Sequence, residues 1–315
     1  MAPSGSTRAV VVAMLANLGI AFTKFVAWLL TGASSLLAEA VHSVADTSNQ
    51  ALLLIGGRRA AREPTSEHPF GYGRVRYLYA FVVAIILFTL GGLFALYEAW
   101  HKFTEIREGH PNELLESQWW WVPIVVLVAA IGMESTAMRT AIKESNKVRG
   151  RKNWIQFIRR AKSPELPVIL LEDSGALLGL TFALIGVGLA LLTGNAYWDV
   201  AGTAAIGVLL VIIAIVLVIE MSSLLVGEGA SKDVVEKITA ALTADGHIDR
   251  VIHLRTLYLG PEQLLVAAKI AITAAQPGDQ IAAAIDAAET RVRVAVPEAQ
   301  TIYLEPDLDR SVATA

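Results

Sequence analysis

His42 and Asp46 stand four residues apart in the stretch SSLLAEAVHSVADTSNQALLLIGG, residues 34–57, whose other residues are mostly apolar. Four residues make about one helical turn, so an imidazole and a carboxylate leave the same face of a helix. Glu39 and Asn49 lie three residues to either side of the pair, on nearly the same stripe. In lipid such a line of polar groups is costly and needs partners. Two readings fit the pair. One is structural, each side chain satisfying the other against a neighbouring helix. The other is half of a tetrahedral site for a borderline divalent ion such as zinc, with the remaining ligands supplied from elsewhere in the chain.

The elements that must position these residues are membrane helices. The chain has 315 residues, is 54% hydrophobic and has a mean hydropathy of +0.52, beyond what a soluble domain of this size carries. Apolar runs of about 20 residues, enough to span a bilayer, occur near 10–30, 36–57, 77–100, 119–141, 166–192 and 198–226. These predict six transmembrane helices. The first run reads as a retained helix and not a removed signal peptide. Without cysteine, any metal is held by nitrogen and oxygen.

The net charge of −3 conceals an asymmetry. Between Arg139 and Lys162 there are nine Lys or Arg and one acid, Glu144, and the 58–76 connection has five Arg against Glu63 and Glu67. The 102–118 connection is instead acidic, with four Glu against Lys102 and Arg107. By the positive-inside rule the two basic connections face the cytoplasm, and six spans put both termini there. No transit-peptide pattern precedes the first run, so a multi-pass protein of a prokaryotic cell membrane (plasma or inner membrane) is expected.

Lys24 in the first run is expected to reach the outer interface along its apolar stem. The short turn after Gly32 makes helices one and two antiparallel neighbours. In the loop EHPFGYGRVRYLYA, Pro69, Gly71 and Gly73 break helix, and Glu67 with His68 is either a solvated pair or a second, peripheral metal site. The basic stretch 143–163 carries Trp154, Phe157 and Ile158 at helical spacing, the pattern of a segment lying on an anionic leaflet. Beyond its charge nothing favours nucleic acid as a partner.

Helix five concentrates its polarity at Glu172, Asp173 and Ser174, with Gly175 and Gly179 forming a small face that lets another helix approach. Asp173 lies nine residues from Pro164 and Asp46 eleven from Gly57, or about 14 and 17 Å from the cytoplasmic side at about 1.5 Å per residue. The two polar clusters meet at one level, which makes Asp173 or Glu172 the other half of the site begun by His42 and Asp46. Adjacent helical residues point about 100° apart, so the two acids do not readily hold one ion together.

After residue 226 the pattern becomes that of a soluble domain. A helix from Ser231 to Leu242, β-like runs at 251–259 and 264–272 joined at Gly260 and Pro261, a helix at 279–294 and a strand at 300–305 give the order α, β, β, α, β. That order suits a small sheet with two helices on one face and an open edge fit for self-association.

The motif LLAEAVHSVADTSNQ, the loop HPFGYGR, the sequence LYEAW ending the third run and the final IYLEPD resemble the cation diffusion facilitator family, also called the zinc transporter family. The resemblance implies a fold: a six-helix transmembrane bundle, residues 1–226, followed by an α+β ferredoxin-like cytoplasmic domain, residues 227–315, in a homodimer embedded in lipid. It also implies roles, with His42, Asp46, Asp173 and, less directly, Glu172 as metal ligands. One departure stands out. Family members usually carry a second HxxxD or DxxxD on helix five, whereas the position four before Asp173 is Ile169; the Leu-Leu-Glu-Asp opening is similar to the branch named for the ninth mammalian zinc transporter.

The expected function is therefore not enzymatic. It is zinc efflux from the cytoplasm by proton antiport, because the ion and protons compete for the same imidazole and carboxylates. The same ligands accept Mn2+, Fe2+ or Co2+, so manganese or iron(II) efflux is the alternative. A membrane metal sensor that binds without transporting is a further one. A phosphate-binding loop is absent, which argues against direct drive by ATP, and no HExxH motif supports a metallohydrolase.

Overall fold

The computed structural model describes residues 4–110, 112–272 and 277–307, with side chains from Asn17 onward; the far end of the expected C-terminal domain, 308–315, lies outside the described residues. By internal packing the chain divides into two compact units. One holds the residues up to Gly57 together with Leu78–Met221, the other Arg58–Tyr77 together with the chain from Ser222.

The first unit is helical. Its elements are α1 (Ser4–Thr31), α2 (Ser34–Ala60), α3 (Val75–Ile86), a π-helical stretch (Leu87–Leu93) running directly into α4 (Phe94–Arg107), the short α5 (Glu113–Glu116), α6 (Val122–Arg149), α7 (Trp154–Arg160), α8 (Glu165–Thr193) and α9 (Tyr197–Val226). Among the described residues, four continuous helical stretches are long and apolar enough to cross a membrane: Val75–Arg107, Val122–Arg149, Glu165–Thr193 and Tyr197–Val226. Helix α2 is long enough, at 27 residues, but its polar stripe and the terminal Arg58 and Arg59 lower its apolarity.

Small residues set the spacing of these helices. A Cβ added at Gly92, in the wide π turn, would lie 2.7 Å from the Val211 side chain and 3.1 Å from the Val211 backbone nitrogen. One added at Gly207 would meet the Leu96 nitrogen at 2.9 Å. The Val75–Arg107 stretch and α9 therefore touch almost backbone to backbone, the approach that glycine permits and that drives helix association in lipid. Both glycines expected to form the close face of α8 do so. A Cβ at Gly175 would press on Ile213 at 2.8 Å, and one at Gly179 would meet Glu39 Oε1 at 2.6 Å.

The apolar face expected to lie on the leaflet turns elsewhere. Phe157 of α7 is buried with Ala141 of α6 and Leu170 of α8, and Trp154 and Ile158 pack against the same cluster. An Asn153–Gln156 capping box starts α7, and the Arg149 guanidinium sits 4.2 Å above the Trp154 ring. Packing against α6 and α8 takes up the aromatic residues, and of the apolar residues of α7 only Ile155, 70% exposed, faces out.

The second unit is α+β. It contains α10 (Lys232–Leu242), β1 (Ile248–Gly260), β2 (Gln263–Ile272), α11 (Gly278–Ala295) and β3 (Thr301–Asp307), in the order expected. Strands β1 and β2 form an antiparallel hairpin closed at Gly260 and Gln263. After the α11 crossover β3 pairs parallel to β2, so the sheet runs β1-β2-β3. Ile238 and Leu242 of α10 and Ala288 and Val292 of α11 bury into one core with the alternate β2 residues Leu264, Val266, Ala268 and Ile270. Alternation along a strand presents every second side chain to that face. Tyr258 is tied to Glu298 at 2.9 Å; burial first, then this bond, pushes its hydroxyl above the usual tyrosine range.

The HPFGYGR loop belongs to this second unit. Gly71 adopts φ +79°, a conformation glycine enters at little cost. At Gly73 a Cβ would lie 2.5 Å from the Leu259 carbonyl oxygen and 3.0 Å from Gly260 Cα. The second glycine is thus required because loop backbone rests on the β1–β2 turn.

Candidate metal site

The polar stripe of α2 is real and deeply placed. Glu39 and Asn49 are 0% exposed and His42 is 1% exposed. A carboxylate on α9 anchors the start of this helix. Asp199 Oδ2 accepts from the Ser34 backbone N–H at 2.8 Å and from the Ser34 hydroxyl at 2.9 Å, while Oδ1 accepts from the Ser35 hydroxyl at 2.5 Å. An acid at a helix N-terminus completes the free N–H groups and complements the helix dipole. This fixes the azimuth of α2, and with it the direction of every group on the stripe.

Lys24 departs from expectation. It is 1% exposed and its Nζ donates to Glu39 Oε2 at 3.0 Å and to Ser43 Oγ at 2.8 Å. The α1–α2 hairpin brings residues 24 and 39 to one level, and a carboxylate already in lipid is a nearer partner for an ammonium than the distant interface.

The middle of the stripe is different. His42 Nε2 lies 3.5 Å from Asp46 Oδ2, longer than a hydrogen bond of normal strength. Both ring nitrogens of His42, Asp46 Oδ1 and Asn49 Oδ1 are buried without a hydrogen-bond partner. A neutral imidazole has one donor and one acceptor nitrogen, and leaving both unmade in the interior costs free energy. Such atoms are suited to a ligand. Glycine makes room on the far side as well: a Cβ at Gly91 would be 3.7 Å from His42 Nδ1.

The two acids of α8 go separate ways, as their angular offset requires. Glu172, 5% exposed, accepts from Asn49 Nδ2 at 2.6 Å. Asp173, partly buried, lies in the electrostatic reach of Asp46. Among the described residues, no three His, Asp or Glu side chains converge closely enough to hold an ion together. The structure therefore pairs His42 with Asp46 and Glu172 with Asn49, and brings Asp173 into the field of the first pair without closing a coordination shell. His68 sits in the exposed loop of the other unit, with its ring edge-on to Tyr72 at 4.6 Å.

One pairing and two residues near this site are not legible in the sequence. Glu39 stands on the stripe and Lys24 in the first run, but their pairing depends on the hairpin's depth. Asp199 faces Ser34 and Ser35 across 164 residues or more. Glu134 lies within the fourth apolar run, where an acid is itself a signal; it lines a recess with Asp46, Ser43, Asn17 and Ile20.

Comparison with known proteins adds identity to this geometry. A model described as the cation efflux transmembrane domain matches residues 10–226. The chain is 32% identical over 251 residues to the protein named proton-coupled zinc antiporter SLC30A9, mitochondrial, of Xenopus laevis, covering 79% of this chain and 43% of that one. It is 30% identical to the human protein of the same name over the same shares. It is 28% identical over 267 residues to metal tolerance protein C4 of Arabidopsis thaliana, covering 84% of this chain and 57% of that one. The chain thus spans about half the length of these relatives.

The expected location in a prokaryotic cell membrane is overturned, since the zinc antiporter relatives, matched over 79% of the chain, carry mitochondrial names. The reasoning failed for a physical reason. The expectation rested on the lack of a transit-peptide pattern, whereas the choice of membrane is an address read by receptors and leaves no mark on helix packing. With a family model covering most of its length and a buried His-Asp pair on its second helix, the chain belongs to the cation diffusion facilitator family.

Proposed function

We propose that this protein is a transporter of divalent cations, zinc foremost, moving the ion away from the side faced by its basic loops in exchange for protons. One observation carries the reading: His42, 1% exposed, has two unbonded ring nitrogens one turn from Asp46, whose Oδ1 is also unbonded, inside a family whose matching model is named for cation efflux. Imidazole nitrogen and carboxylate oxygen are ligands that zinc accepts and that protons also occupy. The ion and the proton therefore exclude one another at the same atoms, which is the requirement of exchange. Asp173 serves as the α8 ligand, and Glu172 holds Asn49 in place. The names of the antiporter relatives support zinc; manganese or iron(II) transport by the same cycle is the alternative, because oxygen-rich sites bind these ions too.

The architecture we propose has six spans, α1 and α2 included, both termini on one side, and a boundary near residue 226. The α, β, β, α, β order supports a ferredoxin-like domain at 227–315, and a homodimer in the bilayer is the working assembly. A mitochondrial membrane is its setting. His68 could at most hold a peripheral ion. A second reading, a metal sensor that does not transport, draws support from the absence of three converging ligands among the described residues.

Flux in proteoliposomes under an imposed pH gradient, with Zn2+, Mn2+, Fe2+ and Co2+ compared, tests the proposal. Proton-linked flux of zinc in the wild type, reduced to background in Asp46→Ala, is the expected result. Tight binding of an ion with no flux of any would replace the transporter with the sensor.

A further inference from the structure

The mid-membrane acid of α6 is unused in the reading above. Glu134 lines a small recess with Asp46 and Ser43 of α2 and Asn17 and Ile20 of α1. Among the described residues, no hydrogen bond or ion pair engages its carboxylate. Asp46 and Asp173 both lie in its electrostatic field. Lys24, a buried cation of α1, is held by Glu39 at 3.0 Å. Two carboxylates, Asp46 and Glu134, thus line one recess, and among the described residues no Lys or Arg is paired with either, an arrangement that favours a cation between them.

Acids alone would not make a site, but the recess has a second feature. Asp46 on its wall is 3.5 Å from His42, which is 1% exposed and has both ring nitrogens unbonded. An uncompensated acid pair beside an unbonded imidazole matches the donor set of a divalent cation. Helix α8 does not complete that set. Ile169, where the family pattern calls for a ligand, packs instead against the apolar cluster of Phe157, Ala141 and Leu170.

We propose that Glu134 is a ligand of the transported cation, supplying from α6 the donor that α8 lacks at Ile169. This rests on the transporter reading only in taking His42 and Asp46 as ligands. Glu134 lines the same recess as Asp46, so its carboxylate is the α6 donor available to an ion held there. The resulting set, one nitrogen and up to three oxygens, is richer in oxygen than a two-His site and widens the range of ions accepted towards manganese.

Equilibrium binding of Zn2+ and Mn2+ to the full-length protein, with X-ray absorption of the zinc-loaded form, tests this. Glu134→Gln keeps size and removes charge; zinc affinity should fall on the order of 10- to 100-fold with thermal unfolding unchanged. Glu134→His should restore zinc binding, weaken manganese relative to zinc, and raise the number of imidazoles per zinc from one to two, a change no structural role of Glu134 produces. Unchanged affinity in Glu134→Gln, or a count that stays at one in well-folded Glu134→His, overturns the assignment. If Glu134→His does not fold, the Glu134→Gln affinity decides alone. Asp46→Asn separates the two levels: loss of binding there with no effect at Glu134 removes Glu134 only, whereas intact binding in Asp46→Asn removes the whole site.

Discussion

Helix α2 holds two buried polar regions with opposite character. At its start, Ser34 and Ser35 are satisfied by Asp199, and Ser34 also shares a 2.9 Å bond with Thr203. Among the described residues this group leaves no buried side-chain atom without a partner. Two turns further on, both nitrogens of His42, Asp46 Oδ1 and Asn49 Oδ1 have none. Both places hold polar groups that are largely buried, so burial alone does not distinguish structure from function. Satisfaction does. A polar group whose bonds are all made within the protein holds helices together, and one left with open valences is positioned to exchange them with something that comes and goes.

Glu39 lies between the two regions, one oxygen bound to Lys24 and the other free, and the largest expected effect is there. Lys24→Met strands a buried carboxylate and should destabilise the protein by about 3–5 kcal/mol. Thermal unfolding in detergent measures this, and much of the loss should return in Lys24→Met combined with Glu39→Leu. A variant as stable as wild type would erase the contrast on the structural side.

His42→Ala sharpens the comparison from the other direction. It should lower zinc affinity at least about 100-fold, equivalent to about 2.7 kcal/mol. The unfolding temperature should stay close to wild type, because the imidazole makes no hydrogen bond in the protein. A large loss of stability with intact binding would make the His42–Asp46 pair structural, the first of the two readings its spacing allowed.

Asp199→Asn is the smallest of the three. Its amide can still accept from Ser34 or Ser35 but not serve all three bonds, so about 1–2 kcal/mol of stability should be lost. Zinc affinity should change little if the start of α2 only anchors the helix. A fall in affinity as large as that of His42→Ala would merge the two regions into one site.

Local patterns account for much of this molecule. The four-residue interval placed His42 and Asp46 on one face, the 3.6-residue and two-residue periods ordered the C-terminal elements, and the small face at Gly175 and Gly179 foretold a close helix contact. Such features are short-range, repeating along the backbone with the period of the element that carries them. Partners are not. Whether Lys24 reaches water or Glu39, whether Trp154 and Phe157 rest on lipid or on α6 and α8, and which groups Asp199 and Glu134 face all depend on depth and azimuth of helices far apart in the chain. The HPFGYGR loop makes the same point: its glycines announced a break in helix, and only the packed unit revealed that Gly73 lies against the Leu259–Gly260 backbone. Residue types and spacing determined that a polar face carrying an imidazole and carboxylates exists on α2. The tertiary structure alone decided which neighbours satisfy that face and which leave it open, because a hydrogen bond forms only between groups that packing has brought within about 3 Å of each other.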